Sequence, residues 1–196
     1  VELLNEYARA IIIDYSYKYF YLDGYGKDFY VYNIRREDYS DESMELLFTA
    51  GLLSFYEQLE FYNKYREEIK EYNIEKPLWI FVGGTATKNR SKNVNPDVVR
   101  IIKFIYRITE NEPLLKDNIY KILNNKSGLI DDRGNDIFAG KYEFLKTMKI
   151  DDIVDGIFEK VFNGKGKIEL YELSNADGEI GIRTSGNEYF AVIRIG

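Results

Sequence analysis

Leu78-Trp79-Ile80-Phe81-Val82 runs into Gly83-Gly84-Thr85-Ala86-Thr87-Lys88-Asn89-Arg90-Ser91-Lys92 and then into Asn95-Pro96-Asp97, and this stretch decides how the chain is read. Five apolar residues without alternation are expected of a strand buried on both faces. Asn95 offers a helix N-cap, Pro96 a first helical position that needs no amide donor, and Asp97 an acidic first turn. Val98, Ile101, Ile102, Ile105 and Ile108 then recur as one apolar stripe, which predicts a helix over 95–110. Strand, glycine loop and helix in that order open an α/β unit.

Working outward toward the N-terminus, Phe48, Leu52, Phe55, Leu59, Tyr62, Tyr65, Ile69 and Tyr72 recur at spacings of three and four. They predict a long amphipathic helix over 41–72, capped by Ser40 or Asp41 and stopped before Pro77. Glu67 and Glu71 repel at i,i+4, so its charged face reads as solvated surface rather than a salt-bridge ladder. Further back, residues 10–15 form a β-branched apolar run, expected as a buried strand. The aromatic runs Tyr17–Tyr21 and Phe29–Tyr32, joined through Asp23-Gly24-Tyr25-Gly26-Lys27, predict a β-hairpin within an aromatic region 1–35. So many tyrosines beside lysine suit a stacking platform for single-stranded nucleic acid. Ordinary cross-strand packing explains them as well, and Asp14, Asp23 and Asp28 spoil the positive field.

Toward the C-terminus, Leu115, Ile119 and Ile122 place a shorter helix over 113–125, which closes a helix-strand-helix region over 41–125. Residues 126–143, with Gly128, Gly134 and Gly140, read as a long connection. A helix over about 151–163, capped by Gly164, is followed by strand-like runs at 167–173, 179–184 and 189–195, so 151–196 is a helix plus an antiparallel meander. The fold class expected is α/β, or α+β, with the 78–82 strand central in a single domain spanning 1–196.

Composition removes whole classes of chemistry. The 196 residues include no histidine and no cysteine, so a Ser-His-Asp triad, histidine or thiolate metal sites, cysteine nucleophiles and disulfides are all excluded. Thirty-three acidic against 27 basic residues give a net charge of -6, and the surface as a whole does not attract nucleic acid. No apolar run approaches the roughly 20 residues of a membrane span. Val1 is not an initiator methionine and no signal peptide follows it, so the chain is expected to be an excerpt of a longer, cytoplasmic protein. Aromatics at 16% argue for a filled core rather than disorder.

The glycine loop is the best candidate site. Backbone amides between a strand end and a helix start cradle phosphates, and Gly83, Gly84, Thr85, Thr87, Lys88, Arg90 and Lys92 supply amides, hydroxyls and the chain's densest basic cluster. It is not a nucleotide P-loop, which needs a second glycine ahead of a Lys-Ser or Lys-Thr pair. Phe162-Asn163-Gly164-Lys165-Gly166-Lys167 resembles a phosphate loop in letters only: it follows a helix, whose C-terminus repels anions. Asp131 to Asp136 lacks the spacing of a calcium loop. Asp151/Asp152 and Asp155/Glu159 suit helix capping and solvation better than acid–base work. No catalytic residue, metal ligand or cofactor-binding residue is assigned.

Three segments together resemble one family. They are Asp14-Tyr15-Ser16-Tyr17-Lys18-Tyr19-Phe20-Tyr21 with Asp23-Gly24-Tyr25-Gly26-Lys27-Asp28; Lys76-Pro77-Leu78-Trp79-Ile80-Phe81-Val82-Gly83; and Gly178-Glu179-Ile180-Gly181-Ile182-Arg183 with Asn187, Phe190, Val192, Ile193 and Gly196. In this order they are similar to large bacterial DEAD/DEAH-box helicases related to the restriction subunit of type III restriction enzymes. Ala191 stands where that family usually has Gly, Arg194 where it has Asn, and Thr184 where it has an aliphatic residue. The resemblance implies a segment between helicase motif III and motifs V and VI, holding the start of a RecA-like second lobe with a helical insertion. Thr85-Ala86-Thr87 spells a motif III-like triplet, but the family's motif III precedes the Asp14–Tyr21 stretch. ATP, magnesium and the catalytic motifs would then belong to the full-length parent, whose partners would be DNA, the remaining helicase domains and a methyltransferase subunit. Read from residues alone, a non-catalytic protein-interaction module of a larger bacterial protein stays open.

Overall fold

A computed structural model describes residues 15–26, 31–32, 34, 38–82, 96–174, 176 and 178–194. The chain divides into two compact units, Val1–Asn33 and Ile34–Gly196.

In the first unit the expected hairpin is replaced by helix α1, Tyr17–Leu22. Its glycine serves a different turn from the one expected. Gly24 has φ 84°, and the amides of Tyr25 and Gly24 close back onto the carbonyls of Phe20 and Tyr21, which is a Schellman cap. The aromatic run reads equally well at helical spacing: Tyr17 meets Phe20 at 6.4 Å and Tyr21 at 6.2 Å between ring centroids. Tyr15 donates to the Asp23 carboxylate at 2.6 Å. Residues 10–14 and 27–30 of the expected strands lie outside the described residues.

The second unit is built on α2, Asp41–Lys64. Ser40 is the N-cap. Its hydroxyl accepts from the Ser43 amide at 3.0 Å, and Ser43 Oγ accepts from the Ser40 amide at 2.8 Å, a reciprocal box worth about 1 kcal/mol. The predicted 41–72 helix breaks at Tyr65; a single turn α3, Arg66–Ile69, and a 3-10 turn, Lys70–Tyr72, end at Asn73 in the left-handed region. Helix α4 covers Pro96–Glu110 and α5 covers Glu112–Leu123, capped by the Asn111 side chain at the Leu114 amide. The connection then passes a single bridge between Ile130 and Asp136 and a 3-10 turn, Leu145–Thr147, before α6, Ile150–Lys160.

The core lies among these helices. Leu52, Leu53, Tyr56 and Leu59 of α2 are buried with Ile108 of α4, Leu115, Ile119 and Ile122 of α5, and Ile153 and Ile157 of α6. Two close contacts set its geometry. Gly156 of α6 faces Tyr56 so tightly that a Cβ there would lie 2.0 Å from the hydroxyl oxygen. Burial first, then the Glu60 charge, push the Tyr56 phenol well above its usual range, so it stays protonated and bonded to Glu60. Glu60 in turn pairs with Lys160 of α6. At the other end of α2, the buried Glu45 carboxylate accepts from Asn118 of α5 at 3.1 Å and pairs with Arg107 of α4 at 2.8 Å, so three helices share one charge.

The connection is pinned from within. Buried Asp136 accepts from the Ser127 amide and hydroxyl and from the Phe138 amide, at 2.9, 2.7 and 3.0 Å. Tyr142, at φ 57°, donates its hydroxyl hydrogen to the Ala50 carbonyl at 2.8 Å. That left-handed tyrosine costs conformational energy which the buried hydrogen bond helps offset.

The meander has the expected order. Strands β1 (Ile168–Glu172), β2 (Glu179–Thr184) and β3 (Tyr189–Arg194) form one antiparallel sheet in the order β1-β2-β3. The register shifts between Ile182 and Arg183, which leaves Phe190 as an extra residue on β3. One face docks on the end of α6: Phe190 meets Phe162 edge-on at 5.1 Å, and buried Thr184 donates to the Phe162 carbonyl at 3.1 Å. The chain is therefore mixed helix and sheet.

The expected central strand is the main correction. Residues 78–82 lie in neither helix nor sheet, and no backbone hydrogen bond joins them to another described residue. Their burial alternates, which a strand covered on one face produces and a doubly buried one does not.

Gly156→Ala should lower stability by about 1–3 kcal/mol, because the α2–α6 crossing has no room for a methyl. Urea unfolding reads this, and Tyr56→Phe in that background should recover only part of the loss, since the next ring carbon stands 2.7 Å away. An unchanged midpoint for Gly156→Ala would mean the helices do not cross there.

An exposed charge ladder gives a pH prediction. Asp151, Lys116, Glu112, Lys165 and Asp155 alternate in sign at 2.8 to 3.0 Å, joining α5, α6 and the loop after it. Lys116 first, then Lys165, hold the Glu112 carboxyl below its usual range. A depressed carboxyl contributes stability above its unfolded pKa and loses it as pH falls through the lower folded value. The stability gap between wild type and Glu112→Gln should therefore be full at pH 7, shrink below about pH 4, and fade in high salt. A gap that is the same at pH 3 and pH 7 would remove the ladder from the stability account.

Candidate functional site

The candidate loop residues Gly83, Gly84, Thr85, Thr87, Lys88, Arg90 and Lys92 all lie in 83–95, outside the described residues. What the structure describes is how the chain enters and leaves that loop. On entry, Trp79 stacks on Phe55 of α2 at 5.9 Å and 29°, and Phe81 meets Phe48 edge-on at 6.3 Å. Trp79 and Phe81 touch each other at 4.4 Å. Gly51 makes the seat possible, because a Cβ there would stand 3.2 Å from the indole ring. On exit, Phe104 of α4 packs on the same Phe48 at 5.3 Å. One aromatic side chain of α2 thus anchors both flanks of the loop.

The opposite side of this segment is bare. Leu78, Ile80 and Val82 are 78%, 67% and 87% exposed. A strand-like segment with one face anchored, its other face aliphatic and its backbone groups unpaired among the described residues has the chemistry of a sheet member lacking its neighbours. The sequence pattern located the segment; it could not show that only one of its faces is covered.

The other sequence candidates are consumed by the fold. The helix expected to run to 163 stops at Lys160 with Val161 as its cap, and Asn163, at φ 55°, and Gly164, whose amide closes on the Phe158 carbonyl at 2.7 Å, turn the chain after it. Lys165 is held by Glu112 and Asp155 and lies over the Phe158 ring at 5.1 Å. The open cavity there, about 220 Å³, is lined by Asp155 and Glu159 as well, so it does not favour an anion. Asp131 spends its carboxylate on the amides of Arg133 and Asn135, at 2.8 and 2.9 Å, in its own turn. Among the described residues, no group of three acidic side chains converges as metal ligands, and no helix is long and apolar enough to cross a membrane. Asp151 pairs with Lys116 rather than with another carboxylate.

One feature escaped the sequence reading. On the outer face of the sheet, Arg183 lies 4.5 Å from the Tyr171 ring and 5.8 Å from the Tyr189 ring, and its Nε reaches Glu169 at 2.9 Å. Arg183 first, then Ser185, hold the Glu169 carboxyl below its usual range. The guanidinium is already paired, which leaves this aromatic cluster without a free charge for a ligand. Only the cross-strand register, Glu169 opposite Arg183 and Arg183 opposite Tyr189, brings these residues together.

Comparison with known proteins adds no relative: no family model, no curated protein and no solved structure matches this chain.

Trp79 is the only tryptophan, so its emission reports on the anchor directly. Gly51→Val should push the indole off α2 and red-shift its fluorescence, while far-ultraviolet circular dichroism keeps the helical signal. Unshifted emission would place the indole somewhere other than against Gly51.

Proposed function

We propose that this chain is a segment of an ATP-dependent DNA helicase or translocase similar to the restriction subunits of type III restriction enzymes. In this reading it contributes structure and DNA backbone contacts rather than ATP chemistry. The resemblance of the three segments quoted above suggests it, and the observation that carries it is the half-covered 78–82 segment. An extended segment seated on α2 and bare on its other side fits a piece of a RecA-like second lobe whose remaining strands come from elsewhere in the parent. The loop that follows would meet the phosphate backbone through amides and hydroxyls, with Lys88, Arg90 and Lys92 adding charge. ATP, magnesium and the other helicase domains belong to the parent in this reading.

A second reading, a non-catalytic docking module, is favoured by the same bare aliphatic face and by the exposed aromatics of α1, Tyr17, Tyr19, Phe20 and Tyr21. The two readings separate in the full-length protein. Ile80→Lys inserts a charge into a buried sheet in the first reading and abolishes ATPase and DNA binding together with folding of that lobe. In the second it removes only a partner.

Three phosphate contacts at most correspond to a salt slope of about -2 to -3. The chain alone is therefore expected to bind DNA undetectably at physiological salt, and isothermal titration with magnesium and ATP should show no micromolar binding. In the parent, Lys88→Ala with Arg90→Ala should weaken DNA binding equally across sequences and flatten the salt slope. Unchanged affinity of that double variant through a salt titration would reduce the loop to a structural turn.

A further inference from the structure

We draw no further inference here: the strongest candidate, the exposed aliphatic face of residues 78–82 beside α2, belongs to the site already described, and nothing in the structure shows what covers it.

Discussion

The absent side chain of Gly156 is the constraint on which the helical core rests. It lets α6 approach α2 until the Tyr56 hydroxyl occupies the space a methyl would fill. The approach buries a phenol, and a buried phenol needs a partner. Glu60 supplies it, and Lys160 returns the charge to α6. One close contact therefore requires a polar chain of three residues around it, and each member would be costly if left alone. The Glu45 carboxylate does comparable work at the other end of α2, where Asn118 and Arg107 tie α5 and α4 to the same helix.

The middle of α2, between these two anchored ends, is a seat for another segment. Phe48, Gly51 and Phe55 form that seat, and the 78–82 segment uses it through Trp79 and Phe81. Aromatic packing of this kind is strong enough to hold a segment without hydrogen bonds to neighbouring strands. It also leaves three aliphatic side chains exposed. A charged or glycine-rich segment would tolerate that exposure without consequence. Leu78, Ile80 and Val82 do not, and the proposed place of this segment in a larger sheet follows from that imbalance.

Much of the fold was legible because its signals are local. Leu115, Ile119 and Ile122 recur at helical spacing and are buried in α5. The meander follows from short β-branched runs separated by turn residues, whereas α6 ends at Lys160 with Val161 as its cap, short of the expected Gly164. The signals failed where one pattern serves two structures. Asp23-Gly24 suits a hairpin turn and a helix cap equally, since both use a glycine at positive φ. The same aromatic run also suits a helix, where Tyr17 meets both Phe20 and Tyr21. In α2 the apolar recurrence continues through Tyr65, so nothing in spacing alone announced the break there.

The candidate site divides along the same line. The sequence by itself determined the buried stripe of α5, the Ser40 cap, the meander and the exclusion of histidine and cysteine chemistry, because each depends on residue type and near-neighbour spacing; in α2 it missed Leu46, Leu53 and Tyr56 of the buried face. Only the tertiary structure decided that Trp79 and Phe81 face α2 while Leu78, Ile80 and Val82 face outward. It alone decided that Lys165 is taken by Glu112 and Asp155, and that Arg183 lies between two tyrosines. The physical reason is that burial and charge pairing depend on which distant residues arrive beside a side chain, and an unbroken apolar run such as 78–82 carries no record of how many of its faces will be met.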